Sequence, residues 1–390
     1  MASAEGEPMI IDRAELLFLR IPFRMSVTHG AMADRTFSDS LIVKVASGGC
    51  AGYGEAVVRE YVSGSLGGGA EFQRQVARLT GGFLAPVRER DLHWEDIAAH
   101  LSGLACEARE LPILCAVETA LLDLACGQAG TDVYSFLGAE PLRQSVIYGG
   151  VIPILPPEQA EKYVERYASL RFPNVKVKVG GDPGYNDAML GLCRKELGQG
   201  FDIRVDANAS WSIENATEQL DVCARHGVKV IEQPFAVSAE EAVSIMARAH
   251  AMGFDFIADE GVLTAADVAS LACAGGCRVV NLRLSKNGGL SRVLALARVA
   301  EASGLAYQLG CMVGETGVLS ALGRVAASLL PSPLYVEGSY DDILLSENIT
   351  TRSFGFGPGG LAPIVRESGI GYEMSEEKLV KLSVARVPCP

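Results

Sequence analysis

The stretch Asn174-Val-Lys-Val-Lys-Val-Gly180 alternates three valines with two lysines. A two-residue period is typical of a β-strand, and it predicts that the valines lie on one face while Lys176 and Lys178 share the other. Lysine rarely faces a protein core without a partner. The pair therefore indicates either a polar, functional interior or an exposed edge strand, and residues further along the chain favour the first of these.

Charged residues follow this stretch at a nearly constant interval. Hydrophobic runs end at Asp206, Glu232 and Asp259, and Lys286 lies just after a further run. From Lys178 onward the successive intervals are 26 to 28 residues. That length accommodates one strand, one helix and two short loops, so the spacing predicts a series of βα units.

Charged residues at the carboxyl ends of successive parallel strands are typical of the active site of a (β/α)₈ barrel. Such a barrel would gather the three acids and the lysines at one mouth. Three converging carboxylates repel each other without a cation, and hard oxygen ligands suit Mg²⁺. The alternative is that each acid only caps a following helix. A lysine on either side of the metal site would supply acid and base groups.

These residues stand in motifs that occur in a fixed order: Lys176-Val-Lys178, Asp206-Ala-Asn208, Glu232-Gln-Pro234, Ala258-Asp-Glu260 and Lys286-Asn-Gly-Gly289. Together they resemble the enolase superfamily, and within it the muconate lactonizing enzyme subgroup, over nearly the whole chain. The resemblance implies that the acids Asp206, Glu232 and Asp259 bind Mg²⁺, with Mn²⁺ as a substitute. It also implies that Lys178 and Lys286 transfer the protons.

Three neighbouring residues are predicted to support catalysis. Lys176 would hold Lys178 in position, since a second positive charge and a divalent cation both lower the pKa of a nearby lysine. Asn208 would orient the metal ligands and Glu260 would orient Lys286. Asn208 and Glu260 could equally be plain loop residues.

The segments before and after the barrel predict a second domain. A strand meander from about residue 9 to 54, followed by amphipathic helices, indicates an α+β capping domain over residues 1–140. The barrel is predicted over 141–355, with its first strand near Ser145-Val-Ile-Tyr148 and its eighth at Pro333-Leu-Tyr-Val-Glu337. In the family, a segment like 356–390 returns to the cap, and two cap loops, here 23–38 and 59–69, close over the barrel mouth.

The residues predicted to contact substrate are His29, Arg35, Arg59, Tyr61, Cys311, Glu315 and Glu337. The basic loop residues would recognise the distal end of the substrate, or would simply be solvated. An acid at the end of the eighth strand would attract a substrate ammonium. Dipeptide epimerases of the family carry Asp-x-Asp in this region, whereas this chain has Glu337-Gly-Ser339, which argues against a dipeptide. Cys311-Met-Val-Gly-Glu315 is also one residue longer than the family's Cys-Met-x-Glu pattern.

The predicted function is Mg²⁺-dependent removal of a proton alpha to a carboxylate through an enediolate. The favoured reaction is racemisation or epimerisation of an amino-acid derivative, either a dipeptide or an N-acyl amino acid, because two opposed lysines serve both faces. The alternatives are a dehydratase acting on a hydroxyproline or sugar acid, and a muconate-lactonizing or o-succinylbenzoate-synthase-like enzyme. A rival of another class is a catalytically silent barrel that acts as a scaffold.

Composition limits the partners. The chain has 390 residues, enough for two domains, and its net charge of −13 argues against nucleic acid or an anionic membrane. No apolar run approaches a membrane span, and the polar N-terminus does not resemble a signal peptide. The ten cysteines form no CxxC framework, which predicts reduced thiols and a cytoplasmic location. The partner is a small carboxylate substrate, and the family resemblance implies a dimer or octamer.

Overall fold

The computed structural model describes residues 10–27, 35–89, 93–235 and 240–389. Its strands are β1 (Arg13–Val27), β2 (Arg35–Ser47), β3 (Cys50–Ala56), β4 (Ser145–Ile147), β5 (Gly150–Ile152), β6 (Asn174–Lys178), β7 (Asp202–Asp206), β8 (Val230–Glu232), β9 (Asp255–Ala258), β10 (Val279–Arg283), β11 (Ala306–Gly310), β12 (Leu361–Pro363) and β13 (Ser383–Pro388).

The helices alternate with the later strands. They are α1 (Glu60–Ser63), α2 (Gly69–Glu89), α3 (Trp94–Gly103), α4 (Leu111–Ala129), α5 (Val133–Leu137), α6 (Pro157–Ser169), α7 (Pro183–Leu197), α8 (Ala216–Arg225), α9 (Glu240–Ala251), α10 (Ala265–Ala274), α11 (Leu284–Asn287), α12 (Leu290–Ala302), α13 (Gly317–Leu329), α14 (Asp341–Leu344) and α15 (Glu376–Leu382). Across the described ranges, no helix combines the length and the apolar character that a membrane crossing requires.

The larger sheet confirms the predicted barrel. It contains seven parallel strands in the order β11-β10-β9-β8-β7-β6-β5, so neighbours in sequence are neighbours in the sheet. Each strand is followed by a helix, which is the right-handed βα repeat that the residue spacing indicates. The valines of β6 are buried, and its lysines extend toward the barrel interior. The interior therefore carries the charges.

Two strands of the barrel differ from the sequence prediction. The first barrel strand is β5 (Gly150–Ile152) and not the predicted segment near Ser145. Residues Ser145 to Ile147 instead form an antiparallel pair with β12. The eighth is an extended segment held by a single bridge between Leu309 and Val336. The carbonyl of Val336 also accepts the N–H of Gly149 at 2.9 Å, which joins the two ends of the sheet. Pro333 at the start of this segment cannot donate to a ladder, which limits its pairing.

The smaller sheet forms the cap, and its strand order is β13-β1-β2-β3. β13 comes from the C-terminal end of the chain and pairs with β1. The strands are longer than predicted, because β1 continues to Val27 and β2 begins at Arg35 where an irregular loop is expected. Helix α4 lies against β3, and its backbone approaches so closely that a Cβ at Gly54 would stand 1.9 Å from the carbonyl oxygen of Ala116.

A buried carboxylate joins α4 to the returning C-terminal segment. Asp123 accepts the N–H of Tyr53 at 3.1 Å and the N–H of Ile370 at 3.2 Å. Burial raises the pKa of Asp123 to about 6, although these two N–H donors favour the charged form. The native state thus holds a proton on this group over a pH range in which the unfolded chain has released it.

This shift predicts a pH-dependent difference between the wild-type protein and Asp123→Asn. Because the folded pKa is raised, the stabilisation is fully present below pH 4 and is lost as pH rises through 6. We expect the free energy of unfolding of the wild type to fall by about 3 kcal/mol relative to the variant across that window. Urea titrations at several pH values measure the difference. The exposed Asp96→Asn is the control, and parallel curves for Asp123→Asn and wild type would contradict the prediction.

Two further buried carboxylates from the cap lie at the N-termini of barrel helices. Glu55 accepts the N–H groups of Thr316 and Leu319 at the start of α13. Glu118 accepts the N–H of Ser291 at the start of α12. Burial raises the pKa of both carboxyl groups, while the helix N–H donors oppose the shift. The cap therefore supplies acceptors for N–H groups at the N-termini of these two barrel helices, which have no partner within the helix.

Candidate active site

The strand ends bring the three predicted metal ligands to adjacent positions. Asp206 ends β7, Glu232 ends β8 and Asp259 directly follows β9, and these strands are neighbours in the sheet. All three side chains are fully buried. The two lysines predicted to transfer protons lie on either side, since Lys178 ends β6 and Lys286 follows β10.

The backbone departs from strand geometry just beyond these carboxylates. Asn208 and Ala209 have φ values of 43° and 57°, and Gln233 has a φ of 40°. Residues other than glycine rarely adopt this left-handed conformation, and where they do they cluster at functional sites. Pro234 disfavours the right-handed helical region for Gln233, as the sequence indicates. The turn lets the Gln233 side chain accept the N–H of Asp259 at 2.7 Å, which links two of the strand ends.

Lys176 lies at the centre of the acidic residues. Its Nζ is 3.3 Å from Asp206 Oδ2, 3.2 Å from Glu232 Oε2 and 2.7 Å from Glu337 Oε2. Burial alone would lower its pKa, but Glu232, Glu337 and Asp206 outweigh burial and raise the pKa above its usual range. The three acids therefore favour the charged form of Lys176, which offsets part of their negative charge.

Lys178 has a different environment on the same strand. Its Nζ donates to Asp206 Oδ2 at 2.6 Å and to Asn208 Oδ1 at 2.8 Å. The backbone N–H of Asn208 donates in turn to Asp206 Oδ1 at 3.0 Å. Asn208 thus contacts both a predicted metal ligand and a predicted base. Glu260 differs from expectation, because its described hydrogen bond comes from Asn208 at 3.2 Å and not from Lys286.

Lys286 is turned back into the barrel by the one-turn helix α11. Its Nζ donates to the side chain and the carbonyl of Asp259 and to the carbonyl of Asn281, at 2.7 to 2.9 Å. Burial, and then the positive charge of Arg283, lower the pKa of Lys286 well below its usual range. Only glycine fits at position 289 in the turn after α11, because a Cβ at Gly289 would stand 1.9 Å from Glu118 Oε2. The last glycine of the Lys286-Asn-Gly-Gly289 motif is thus needed for contact with the cap.

The donor chemistry of the three carboxylates fits Mg²⁺, although cations lie between them in this structure. Lys176 bridges Asp206 and Glu232, and the guanidinium of Arg283 lies against Asp259 and 3.9 Å from Glu232. Among the described residues, no group of three or more acids, cysteines or histidines is arranged to hold a metal as it stands. Three fully buried carboxylates on adjacent strands nevertheless provide the hard oxygen donors that Mg²⁺ prefers.

Several interior residues are absent from the sequence prediction. Asn281 and Gln308 each donate to Glu232 at 2.9 Å, and Arg204 donates to Glu337 at 2.5 Å. These side chains stand at alternate positions on their strands, as Lys176 and Lys178 do. The same two-residue period that revealed the lysines could therefore have identified them as inward-facing.

Of the four cap residues predicted to contact substrate, the structure describes the side chains of Arg59 and Arg35. Arg59 is 1% exposed, and its guanidinium donates to Ser38, Asp39, Val58 and Val313, which ties the cap to the loop after β11. Arg35 begins β2 and lies 3.9 Å from Asp39 on the cap surface. Tyr61 belongs to α1, and His29 falls outside the described residues. Contact between these four residues and substrate stays a prediction.

The loop after β11 places Cys311 and Glu315 differently. Cys311 lines the cavity at the barrel mouth. Glu315 Oε1 accepts the N–H of Met312 at 2.7 Å, so it fixes the loop. Burial raises the pKa of Glu315 to about 8, which keeps this group protonated at neutral pH. The role of both residues in substrate binding is again a prediction.

Comparison with known proteins establishes the relationship. The model of the family described as Enolase C-terminal domain-like matches residues 157–378, more than half of the chain. This chain belongs to the enolase superfamily. The hydrophobic dipeptide epimerase of Roseobacter litoralis is 30% identical over 321 residues, covering 80% of this chain and 86% of that protein.

Two other proteins that are similar to this chain have names that differ from dipeptide epimerase. Muconate cycloisomerase 1 of Pseudomonas putida is 28% identical over 273 residues, covering 68% of this chain and 70% of that enzyme. The crystal structure of the N-succinyl Arg/Lys racemase of Bacillus cereus superposes with a TM-score of 0.81 and 22% identity, and the alignment covers 98% of this chain and 100% of that one. The second likeness shows the fold alone.

Proposed function

We propose that this enzyme racemises or epimerises an amino-acid derivative by moving the proton alpha to its carboxylate in a Mg²⁺-dependent reaction. The observation that carries the proposal is the order of the strand ends, with Lys178 and Lys286 on opposite sides of three buried carboxylates. The epimerase of Roseobacter litoralis supports the same reaction class.

The metal would be held by Asp206, Glu232 and Asp259. When bound, Mg²⁺ stabilises the negative charge that develops on the substrate carboxylate as the alpha proton leaves, the pattern of this superfamily. Glu232 is kept in place by hydrogen bonds from Asn281 and Gln308, both at 2.9 Å. Such supporting partners orient ligands and raise metal affinity.

The two lysines would share the proton transfer. An enediolate is planar at the alpha carbon, so a base on one side can remove the proton and an acid on the other side can return one. Lys178 is held by Asp206 and Asn208, and Lys286 by Asp259 and Asn281. Each lysine is therefore positioned from a different side of the carboxylate row. Lys176 is bound by three acids, so we assign it to charge balance.

The proposal is tested by incubating the purified enzyme with Mg²⁺ in D₂O and a panel of dipeptides, N-acyl amino acids, hydroxyprolines and muconate. Proton NMR follows the alpha-proton signal, and chiral chromatography follows the isomers. We expect alpha-proton exchange and isomer formation from at least one amino-acid derivative. Release of water or ring closure, with no isomer from any amino-acid derivative, would contradict the proposal.

Release of water would instead establish a dehydratase, and ring closure would establish a cycloisomerase. The relationship to muconate cycloisomerase 1 favours this as the second candidate. Such reactions use the same carboxylates but require only one proton-transferring lysine, so the metal site would be unchanged.

We also propose the cellular setting and assembly. The cap comprises residues 1–140, the barrel 141–355 and the returning segment 356–390, and the pairing of β13 with β1 supports this division. Homo-oligomerisation is supported by Val380 on α15 and Val384 on the edge strand β13, which are 57% and 64% exposed. A cytoplasmic location is supported by ten free cysteines.

A further inference from the structure

The cavity at the barrel mouth has one wall of lysines and a second wall that is apolar. Lys176 and Lys178 lie on the first wall, beside the carboxylates. The second wall is formed by side chains from the cap, from β5 and the residue after it, from α6 and from α14: Met25, Val151, Pro153, Tyr163, Ile343 and Leu344. A substrate whose carboxylate lies at the metal site beside these lysines would extend its other groups against this wall.

Backbone contacts hold the apolar wall in place. The N–H of Ser346 donates to the carbonyl of Pro22 at 2.9 Å, and Phe23 forms an antiparallel bridge with Leu345. Arg24 Nε donates to the carbonyl of Asp342 at 3.0 Å. The end of β1 in the cap is thus joined to the loop after the eighth strand, so both elements present a single fixed surface to the substrate.

Glu337 is the sole carboxylate among the described residues that line the cavity, and both of its oxygens already have cationic partners. Oε2 accepts from Lys176 at 2.7 Å and Oε1 accepts from Arg204 at 2.5 Å. Burial would raise the pKa of Glu337, but Lys176 and Arg204 lower it to about 2. Arg204 is fully buried and also lies 4.0 Å above the ring of Tyr335. Lys176 is shared with Asp206 and Glu232 as well, so the cations of this cluster are matched by carboxylates, and both oxygens of Glu337 are already engaged.

From these contacts we infer that the substrate is an amino acid whose nitrogen carries an uncharged, apolar acyl group, and that a dipeptide, whose acyl group carries a free ammonium, is disfavoured. The inference rests on the proposed function, because it assumes that the substrate carboxylate lies at the metal site of Asp206, Glu232 and Asp259. An ammonium placed in this cavity would have to compete with Lys176 and Arg204 for Glu337, the one carboxylate among the described lining residues. It would also lie against the apolar side chains of the second wall, and a charge buried without a partner of its own is costly.

A matched pair of compounds isolates the charge. L-alanyl-L-leucine and N-isobutyryl-L-leucine have nearly the same shape and differ by an ammonium in place of a methyl group. Alpha-proton exchange in D₂O with Mg²⁺ gives kcat/KM for each. We expect the isobutyryl compound to exceed the dipeptide by at least about tenfold. Equal or faster exchange of the dipeptide would overturn the inference but leave the proposed function intact, whereas exchange of no amino-acid derivative would overturn both.

A pair of variants tests the wall itself. Ile343→Asp places an acid on the apolar wall, and Ile343→Asn is its control because asparagine has the same shape without the charge. We expect the aspartate variant to raise the ratio of dipeptide to isobutyryl kcat/KM by about tenfold relative to the asparagine variant, and the gain to shrink in high salt. Equal ratios in the two variants would overturn the inference, and the wild-type comparison remains valid if either variant folds poorly.

Discussion

Replacing Lys286 by methionine is expected to stop racemisation, with kcat reduced by roughly 10²- to 10⁴-fold, the contribution of a single acid–base group. Exchange of the alpha proton of one stereoisomer should persist, because Lys178 still faces that isomer. Methionine retains the length and apolar stem of lysine, so it fills the buried position that Lys286 occupies. Asp259 also keeps Arg283 as a cationic partner in the variant.

Lys178→Met should give the reciprocal result, in which exchange persists only from the other stereoisomer. Deuterium incorporation measured by NMR for each pure isomer distinguishes the two variants. Lys195→Met is the control, since Lys195 is 69% exposed on α7 and its loss should leave both rates unchanged. If either active-site variant still interconverts the isomers at the wild-type rate, the two-base assignment is wrong.

Asp206→Asn is expected to weaken Mg²⁺ binding by at least about 100-fold and to abolish activity at ordinary Mg²⁺ concentrations. The substitution removes one negative charge from the ligand set while preserving the shape of the side chain. Asparagine can still accept the N–H of Asn208, so the turn after β7 should persist. Calorimetric titration with Mg²⁺ measures the affinity directly, without reference to turnover.

Two controls make the metal prediction specific. Asp221→Asn changes an exposed aspartate on α8 and should bind Mg²⁺ as the wild type does. Circular dichroism should show that the barrel of Asp206→Asn remains folded. Full activity of the wild-type enzyme after exhaustive chelation would contradict the metal assignment altogether.

The residues that could be predicted from sequence are those fixed by local periodicity. Alternation placed Lys176 and Lys178 on the interior face of β6, and the 26- to 28-residue interval placed Asp206 and Glu232 at neighbouring strand ends. These features depend only on the pleat of a strand and the length of a βα unit. The barrel and the row of carboxylates follow from them.

The partners of Glu337 and Arg59 could not be predicted in this way. Glu337 lies 161 residues from Lys176 and 133 residues from Arg204 in sequence, and these contacts arise only when the eighth segment closes the barrel. Arg59 binds the carbonyl of Val313, which is 254 residues away. An acid and a basic residue that sequence suggests for substrate recognition are therefore already engaged by the protein itself.

Glu55 and Glu118 impose a condition on any chimera that exchanges caps between members of this superfamily. Because the barrel helices α12 and α13 begin against glutamates that belong to the cap, a barrel excised from its cap would lose an acceptor at both helix N-termini. A transplanted cap must bring equivalent acids at both positions. Gly289 has no side chain where Glu118 approaches, so a cap lacking that glutamate would also leave a void beside the loop that carries Lys286. Grafting a new substrate specificity would therefore succeed most readily in the cap loops, with these two junctions retained.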